Sequence, residues 1–437
     1  MELVHFVPVI IFIAALGLIA FEIVDKALIA LTGAVLMVLL GFLGPEDAVH
    51  AIDFETIILL MAMMMLVEIS RKSGIFSWMN VKLVSLTRGN PLAIAIIFSL
   101  ITALFSAFLD NVTTIIIVVP ITIELFRGLG RDPKPIILQE ILMSNIGGAL
   151  TLIGDPTHII IGSAAELTFN EFIVNLWMPV VGSIVALLGI FVVWRWSHLK
   201  PIAKNLKTLL LSMMLIRKLE YEFLNIELSK TFIIKSLAVI LLTLTGFALQ
   251  TQLGLPVHII GLAGALLLAL ICTKNIHIHD ALKGVEWTTL MFFAGLFIMV
   301  AGVEHTGLLD EISKFIVSSS GDFGMVVIYV LWGSAIISML IDNVGFVTVM
   351  VPVIMGIEAQ LSGEPHIQLL WWALALGAVM GGNGTIIGSS ANVVGCDLAK
   401  KHGEPITFFQ YSKYAFPTAF VALLICTAYL LYRVNFT

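Results

Sequence analysis

Two copies of one polar dipeptide, Asp110-Asn111 and Asp342-Asn343, interrupt long apolar runs in this chain. Each is followed by Val, and each Asp by a Pro ten residues on (Pro120, Pro352). A carboxylate at mid-membrane costs about 3 kcal/mol and marks an ion or proton pathway. Desolvation disfavours its charged form, so it can trade a proton for a cation. Asn111, Thr113, Thr114 and Asn343 add neutral oxygens beside the two carboxylates. Hard cations take such oxygen ligands. The plain alternative is that each Asp caps the helix that follows it, with its neighbours hydrogen-bonded locally. Capping and ion binding are compatible.

A second pair of motifs reads "TLIGDPTH" and "TIIGSSAN". Gly followed by Pro, or by two Ser, frees backbone groups inside a helix. The candidates are Thr151, Gly154, Asp155, Thr157 and His158 in the first copy. In the second they are Thr385, Gly388, Ser389, Ser390 and Asn392. Asp155 and His158 occur only in the first copy and are compatible with a proton relay; a satisfied polar contact is the alternative for His158. Asn145 and Asn383 flank double glycines (147–148, 381–382) of the kind that lets helices pack closely. His277 and His279 fit a solvated loop better than a metal site, and the Met cluster at 61–65 fits packing or lipid contact. No residue is assigned to catalysis or to a resident metal. The phosphate-binding G-x-x-x-x-G-K-[ST], H-E-x-x-H and G-x-S-x-G patterns are absent. The chain is therefore not expected to be an enzyme, and an ion gradient (H⁺ or Na⁺) is the expected energy source, with no cofactor. A separate soluble ATPase partner stays open; nothing points to nucleic acid.

These residues need helices to position them. Hydrophobic residues make up 59% and charged residues 12% of the 437, against about 25% charged in soluble domains; mean hydropathy is +1.06. The solvent is a lipid bilayer, where unbroken apolar runs form helices. Spans are expected near 4–24, 27–44, 56–70, 136–164, 172–195, 232–250, 257–273, 288–303, 367–398 and 411–432. The first lacks the basic start of a secretory signal and is read as a retained helix. Stretches 91–126 and 324–357 are too long for one span and are broken at the two Asp-Asn pairs, so each is a hairpin. Its tip is expected to stop halfway.

Loops near 26, 71–90, 127–135, 195–235, 274–284 and 399–413 hold 21 of the 23 Lys and Arg. That side is cytoplasmic by the positive-inside rule. The split holds only if one hairpin enters from each side. Both termini are then expected outside, in a cell's inner or plasma membrane. The basic stretch 195–235 is long enough for an interfacial segment held by anionic lipid.

The chain repeats at an offset near 232 residues. "FLDNVTTIIIVVP" pairs with "LIDNVGFVTVMVP", and "GGALTLIGDPTHIII" with "GGNGTIIGSSANVVG"; two weaker pairs lie upstream in the same order. The fold class is thus an all-α polytopic membrane protein with an inverted-topology repeat: 1–195 and 232–437, joined by a basic linker at 196–231. About ten spanning helices, two hairpins and two broken helices (136–164, 367–398) are expected. Inverted repeats with broken helices are the build of secondary transporters, whose sites lie near the midplane.

The same four motifs resemble the arsenite permease and sodium–proton antiporter branch of the ion transporter superfamily, and within it the melanosomal P-protein group. The resemblance implies a scaffold, a mobile region holding both hairpins, and elevator-like movement; more distant dicarboxylate symporters in it are dimers, so a homodimer is left open. It implies a small inorganic ion or metalloid as substrate: arsenite or antimonite efflux first, with Cys396 beside the second break the one candidate thiol, then Na⁺/H⁺ exchange. An anion channel or an anion–sodium symporter follows. Those symporters carry Ser-Asn-Thr at both tips, where this chain has Asp-Asn-Val. An added negative charge there argues against dicarboxylate import.

Overall fold

The computed structural model describes residues 2–20, 24–76, 90–199, 230–274 and 276–436. Most of the basic linker lies outside them. Among the described residues the chain is all helix and turn, with no strand.

The first repeat runs α1 (Glu2–Ala20), α2 (Lys26–Leu39), α3 (Pro45–His50) and α4 (Phe54–Lys72), then α5 (Pro91–Ser106) and α6 (Asn111–Gly128), which form the first hairpin. α7 (Lys134–Gly148) and α8 (Pro156–Ala164) are the two halves of the first broken helix, and α9 (Phe169–Leu199) follows. The second repeat holds α10 (Lys230–Ala248), α11 (Gln250–Leu253), α12 (Val257–Ile271), α13 (Ile278–Lys283) and α14 (Trp287–Glu304). It continues through α15 (Leu308–Ser318), the hairpin α16 (Phe323–Leu340) and α17 (Asn343–Gln360), the broken helix α18 (Leu369–Gly382) and α19 (Ser390–Lys401), and α20 (Phe408–Phe436). Seven of these helices are long and apolar enough to cross a bilayer by length and composition. Helix α15, unread in the sequence, is too short and too polar to span and lies against α17 through buried Leu309 and Ser313.

The two repeats run in opposite directions. Arg127, at the end of α6, and Lys134, at the start of α7, both pair with Glu404 just past the end of α19, at 3.0 and 3.8 Å. The face where α7 begins is therefore the face where α19 ends. Since α7 corresponds to α18, the two broken helices cross in opposite senses. Lys72 likewise reaches the Asp280 carbonyl at 3.2 Å, bringing two more basic loops to a shared face. The repeats interlock: α2 packs on α14, α4 on α12, α6 on α19 and α8 on α17.

Hairpin arms of 16 to 18 residues are about 24–27 Å long at 1.5 Å per residue. Each tip nevertheless stops at a helix break, with a further half-helix beyond it. Small residues allow this approach. A Cβ on Gly147 would overlap the backbone of Ala103, and one on Gly381 that of Ala335. At the breaks a Cβ on Gly154 would lie 2.5 Å from the Gly148 carbonyl, and one on Gly388 2.5 Å from that of Gly382. The second contact in each pair is the repeat image of the first.

Candidate functional site

Each tip is tied to its break by a repeated pair of bonds. The Thr151 hydroxyl donates to the Ala107 carbonyl. Its image Thr385 donates to Met339 at 2.5 Å. Beyond that the halves diverge. Asp110 caps α6: one carboxylate oxygen accepts from the Thr113 amide at 2.9 Å and the other from the Thr113 hydroxyl. Asp155 caps α8, accepting from the Thr157 amide at 2.9 Å and hydroxyl at 2.7 Å. Asp342 caps nothing, and both its oxygens lack a protein partner. Ser389, the image of Asp155, makes no cap either. The helix ends of the first repeat are closed and those of the second are open.

Asn145 joins the halves. Its side-chain oxygen accepts from Asn111 at 3.1 Å and Ser389 at 3.1 Å. Its amide nitrogen donates to Asn383 and Asn392, both at 2.7 Å. Asn111 also donates to Asp155 at 2.9 Å, and Asn392 to the Gly382 and Thr385 carbonyls at 2.8 Å. All these side chains are buried.

A cavity of about 280 Å³ opens beside this network. Of the residues singled out in the sequence, Asp110, Asn111, Asp155, Asn343, Ser389 and Ser390 line it. Asp342 lines an adjoining cavity of about 320 Å³. Thr113, Thr157, Thr151, Thr385, Gly154, Gly388 and Asn392 shape the site from behind through the contacts above. Thr114 is buried with its hydroxyl unpartnered and does not reach the cavity wall. His158 bonds the Thr151 carbonyl at 3.1 Å and packs on Phe172; it makes no bond to Asp155, so the two are not joined as a relay. Cys396 is buried in α19 away from the cavity wall, which removes the thiol expected at the second break. Met63 and Met64 face the cavity rather than lipid. His277 and His279 are exposed, and no group of three metal-binding side chains occurs among the described residues.

Two charged residues went unread. Lys26, counted above as a loop charge, lines both cavities. It donates to Ser390 at 3.3 Å and sits 5.1 Å over the Phe292 ring. Glu286, at the start of α14, lines the same cavity. The first turns of six helices (α2, α6, α8, α14, α17 and α19) meet there. Helix N-termini carry about half a positive charge each. The carboxylates are thus at the one place in a membrane where the backbone itself favours them.

The sequence profile of the CitMHS family, described as "Citrate transporter", matches residues 16–377. The chain is 33% identical to the "46 kDa membrane protein" of Mycobacterium leprae over 98% of both chains. It is 32% identical to the P protein of Mus musculus over 95% of this chain and 58% of that one. Among solved structures, the Alcanivorax borkumensis YdaH transporter, of "unusual topology", superposes with a TM-score of 0.61 at 15% identity, covering 98% of both chains. That likeness is one of fold.

Proposed function

We infer, from the premise that the chain belongs to the CitMHS (citrate transporter) family, that this multi-pass membrane protein is a secondary transporter coupling H⁺ or Na⁺ to a small anion at the tip cavity. One observation carries the reading: an ammonium, Lys26, shares a cavity with the carboxylates of Asp110, Asp155 and Glu286, and adjoins Asp342. Six helix ends at about +0.5 each and Lys26 bring roughly +4 to the site. Five carboxylates line the two cavities, Asp25 at the cap of α2 with Asp110, Asp155, Glu286 and Asp342, and ionised together they outweigh that amount. A cavity so charged has no hold on an anion. Bound protons or Na⁺ tip it positive, and the anion then has Lys26, Ser390 and the open ends of α17 and α19 to bind. Release of the cation on the other side releases the anion. The negative tips, which argued against an anion in the sequence, become the place where the coupling cation binds.

The carriage of both hairpins and both breaks as one body against the remaining helices fits the inverted repeat, because the site is built from the two halves jointly. A second reading, Na⁺/H⁺ exchange with no anion, is favoured by the excess of carboxylates over Lys26 at the cavity wall. Arsenite efflux is weakened by the position of Cys396 and would rest on hydrogen bonds alone.

The test uses the purified protein in liposomes holding a pH-sensitive dye. Citrate, Na⁺, Li⁺ or arsenite is added outside, one at a time and then citrate with Na⁺. Internal acidification, or citrate uptake that requires Na⁺, supports coupled anion transport, and Lys26→Gln should abolish it. Internal alkalinisation by Na⁺ or Li⁺ alone, unchanged in Lys26→Gln, would overturn it in favour of exchange.

A further inference from the structure

A groove of about 400 Å³ lies far from the tips, at the face shared by Arg127, Lys134 and Glu404. Three helices build it: the start of α7, the end of α9 and the start of α20. Its charged lining is Lys134, Arg195 and Lys413 against Asp132 alone. Asp132 is engaged by the Lys134 amide at 3.0 Å, and Lys134 shares Glu404 with Arg127. Arg195 and Lys413 make no ion pair with any described residue. The floor is aromatic: Trp194 and Tyr414 lie 5.7 Å apart, and Tyr414 is fixed by donating to buried Gln139 at 2.5 Å.

The groove is at the level of a membrane surface. Trp194 is 54% exposed, and Phe408 and Phe409, which start α20, are 43% and 83% exposed. Exposed aromatics gather at the headgroup layer. Val193, one residue before Trp194, is 78% exposed, as a lipid-facing side chain would be. A pocket that combines cations without an ion pair among the described residues, an aromatic floor and an opening toward lipid matches one chemistry: a phosphate on an acyl-chain anchor.

We propose that this groove binds the headgroup phosphate of an anionic glycerophospholipid, held by Arg195 and Lys413, with its glycerol against Trp194. The arginine fork suits a phosphate diester, and Lys413 adds a point charge. A lipid held there ties α7, which carries Asn145 of the central network, to α9 and α20, so its presence bears on how freely the broken helix moves.

The experiment is quenching of Trp194 in nanodiscs of the full chain, with bromine placed near the headgroup end of the acyl chains. Trp194→Phe subtracts the other tryptophans. Each surface cation is worth about fivefold toward an anionic lipid. Brominated phosphatidylglycerol should therefore quench Trp194 at roughly 25-fold lower mole fraction than brominated phosphatidylcholine. The preference should vanish in Arg195→Gln/Lys413→Gln and return in Arg195→Lys/Lys413→Arg, which also shows that the fold survives substitution. Equal quenching by the two lipids would overturn the proposal, leaving only an ordinary annulus. Loss of the preference on adding millimolar inorganic phosphate would also overturn it, by assigning the groove to a soluble phosphate.

Discussion

Asp110→Ala and Asp342→Ala should shift stability in opposite directions, although the two residues are repeat images with the same flanking Asn-Val. Asp110 holds the first turn of α6 through the Thr113 amide at 2.9 Å and its hydroxyl. Losing an N-cap costs about 0.5–2 kcal/mol, and the freed Thr113 amide is left without its acceptor. Asp342 holds nothing: α17 has no side-chain cap and both carboxylate oxygens are unpartnered. Its removal breaks no helix cap and relieves a desolvated polar group, worth about 1–3 kcal/mol, less the attraction of Lys26 for the carboxylate. Lys26 loses one neighbour but keeps Ser390, Phe292 and the carboxylates of Asp110, Asp155 and Glu286 in its cavity. The expected gap between the variants is therefore about 1.5–5 kcal/mol, with Asp110→Ala below wild type and Asp342→Ala above it. The assay is thermal unfolding of each purified variant in the same detergent, read by tryptophan emission, beside transport in liposomes. Transport should fall in both. Equal losses of stability in the two variants, or a larger loss at Asp342, would refute the claim that one tip is a cap and the other an open ligand.

Three further outcomes are expected. Gly381→Ala places a methyl group into the Ala335 backbone and should cost about 1–3 kcal/mol, while Gly17→Ala, with nothing within 4 Å, should gain about 0.5–1 kcal/mol from helix propensity; melting curves of both variants check this. Asn145→Ala removes four buried hydrogen bonds at about 0.6 kcal/mol each in a membrane, so a loss near 2 kcal/mol with complete loss of transport is expected in melting and uptake assays. Cys396→Ser should leave transport of every solute unchanged, arsenite included, because the thiol does not reach the cavity; a loss of arsenite flux alone would restore a thiol site.

The hairpins and breaks were legible because polar and helix-breaking residues stand out against a uniformly apolar background. Asp-Asn in one place and Gly-Asp-Pro or Gly-Ser-Ser in the other leave few ways to satisfy the backbone. Lys26 was not legible. It follows Asp25 between two apolar runs, which is how a short basic loop reads. A one-dimensional charge count cannot separate a lysine in a surface loop from one that starts a helix at the wall of an internal cavity. Only the parallel packing of α2 on α14, with Ala30 against Gly295 and Met37 against Gly302, brings Lys26 level with Phe292 and into the site. Glu286 was hidden in the same way, as one more acidic residue at a span boundary.

The asymmetry of the tips was written in the sequence at a position easily passed over. Asp110 is followed at the third place by Thr113, and Asp342 by Gly345. A threonine there offers a hydroxyl that holds the cap in place; a glycine offers none. The same substitution of role separates Asp155, with Thr157 two residues on, from Ser389, whose hydroxyl turns away to Asn145. Each change alone is minor. Together they spend the first repeat's carboxylates on closing their own helices and leave the second repeat's helix ends, with Asp342 and Lys26 beside them, free to meet a solute. A perfectly symmetric pair of halves would offer two identical half-sites. Breaking the symmetry at Thr113/Gly345 and Asp155/Ser389 instead gives one half whose helix ends are closed by their own carboxylates and one half whose helix ends are open, an asymmetry that the proposed coupling of two unlike ions would use.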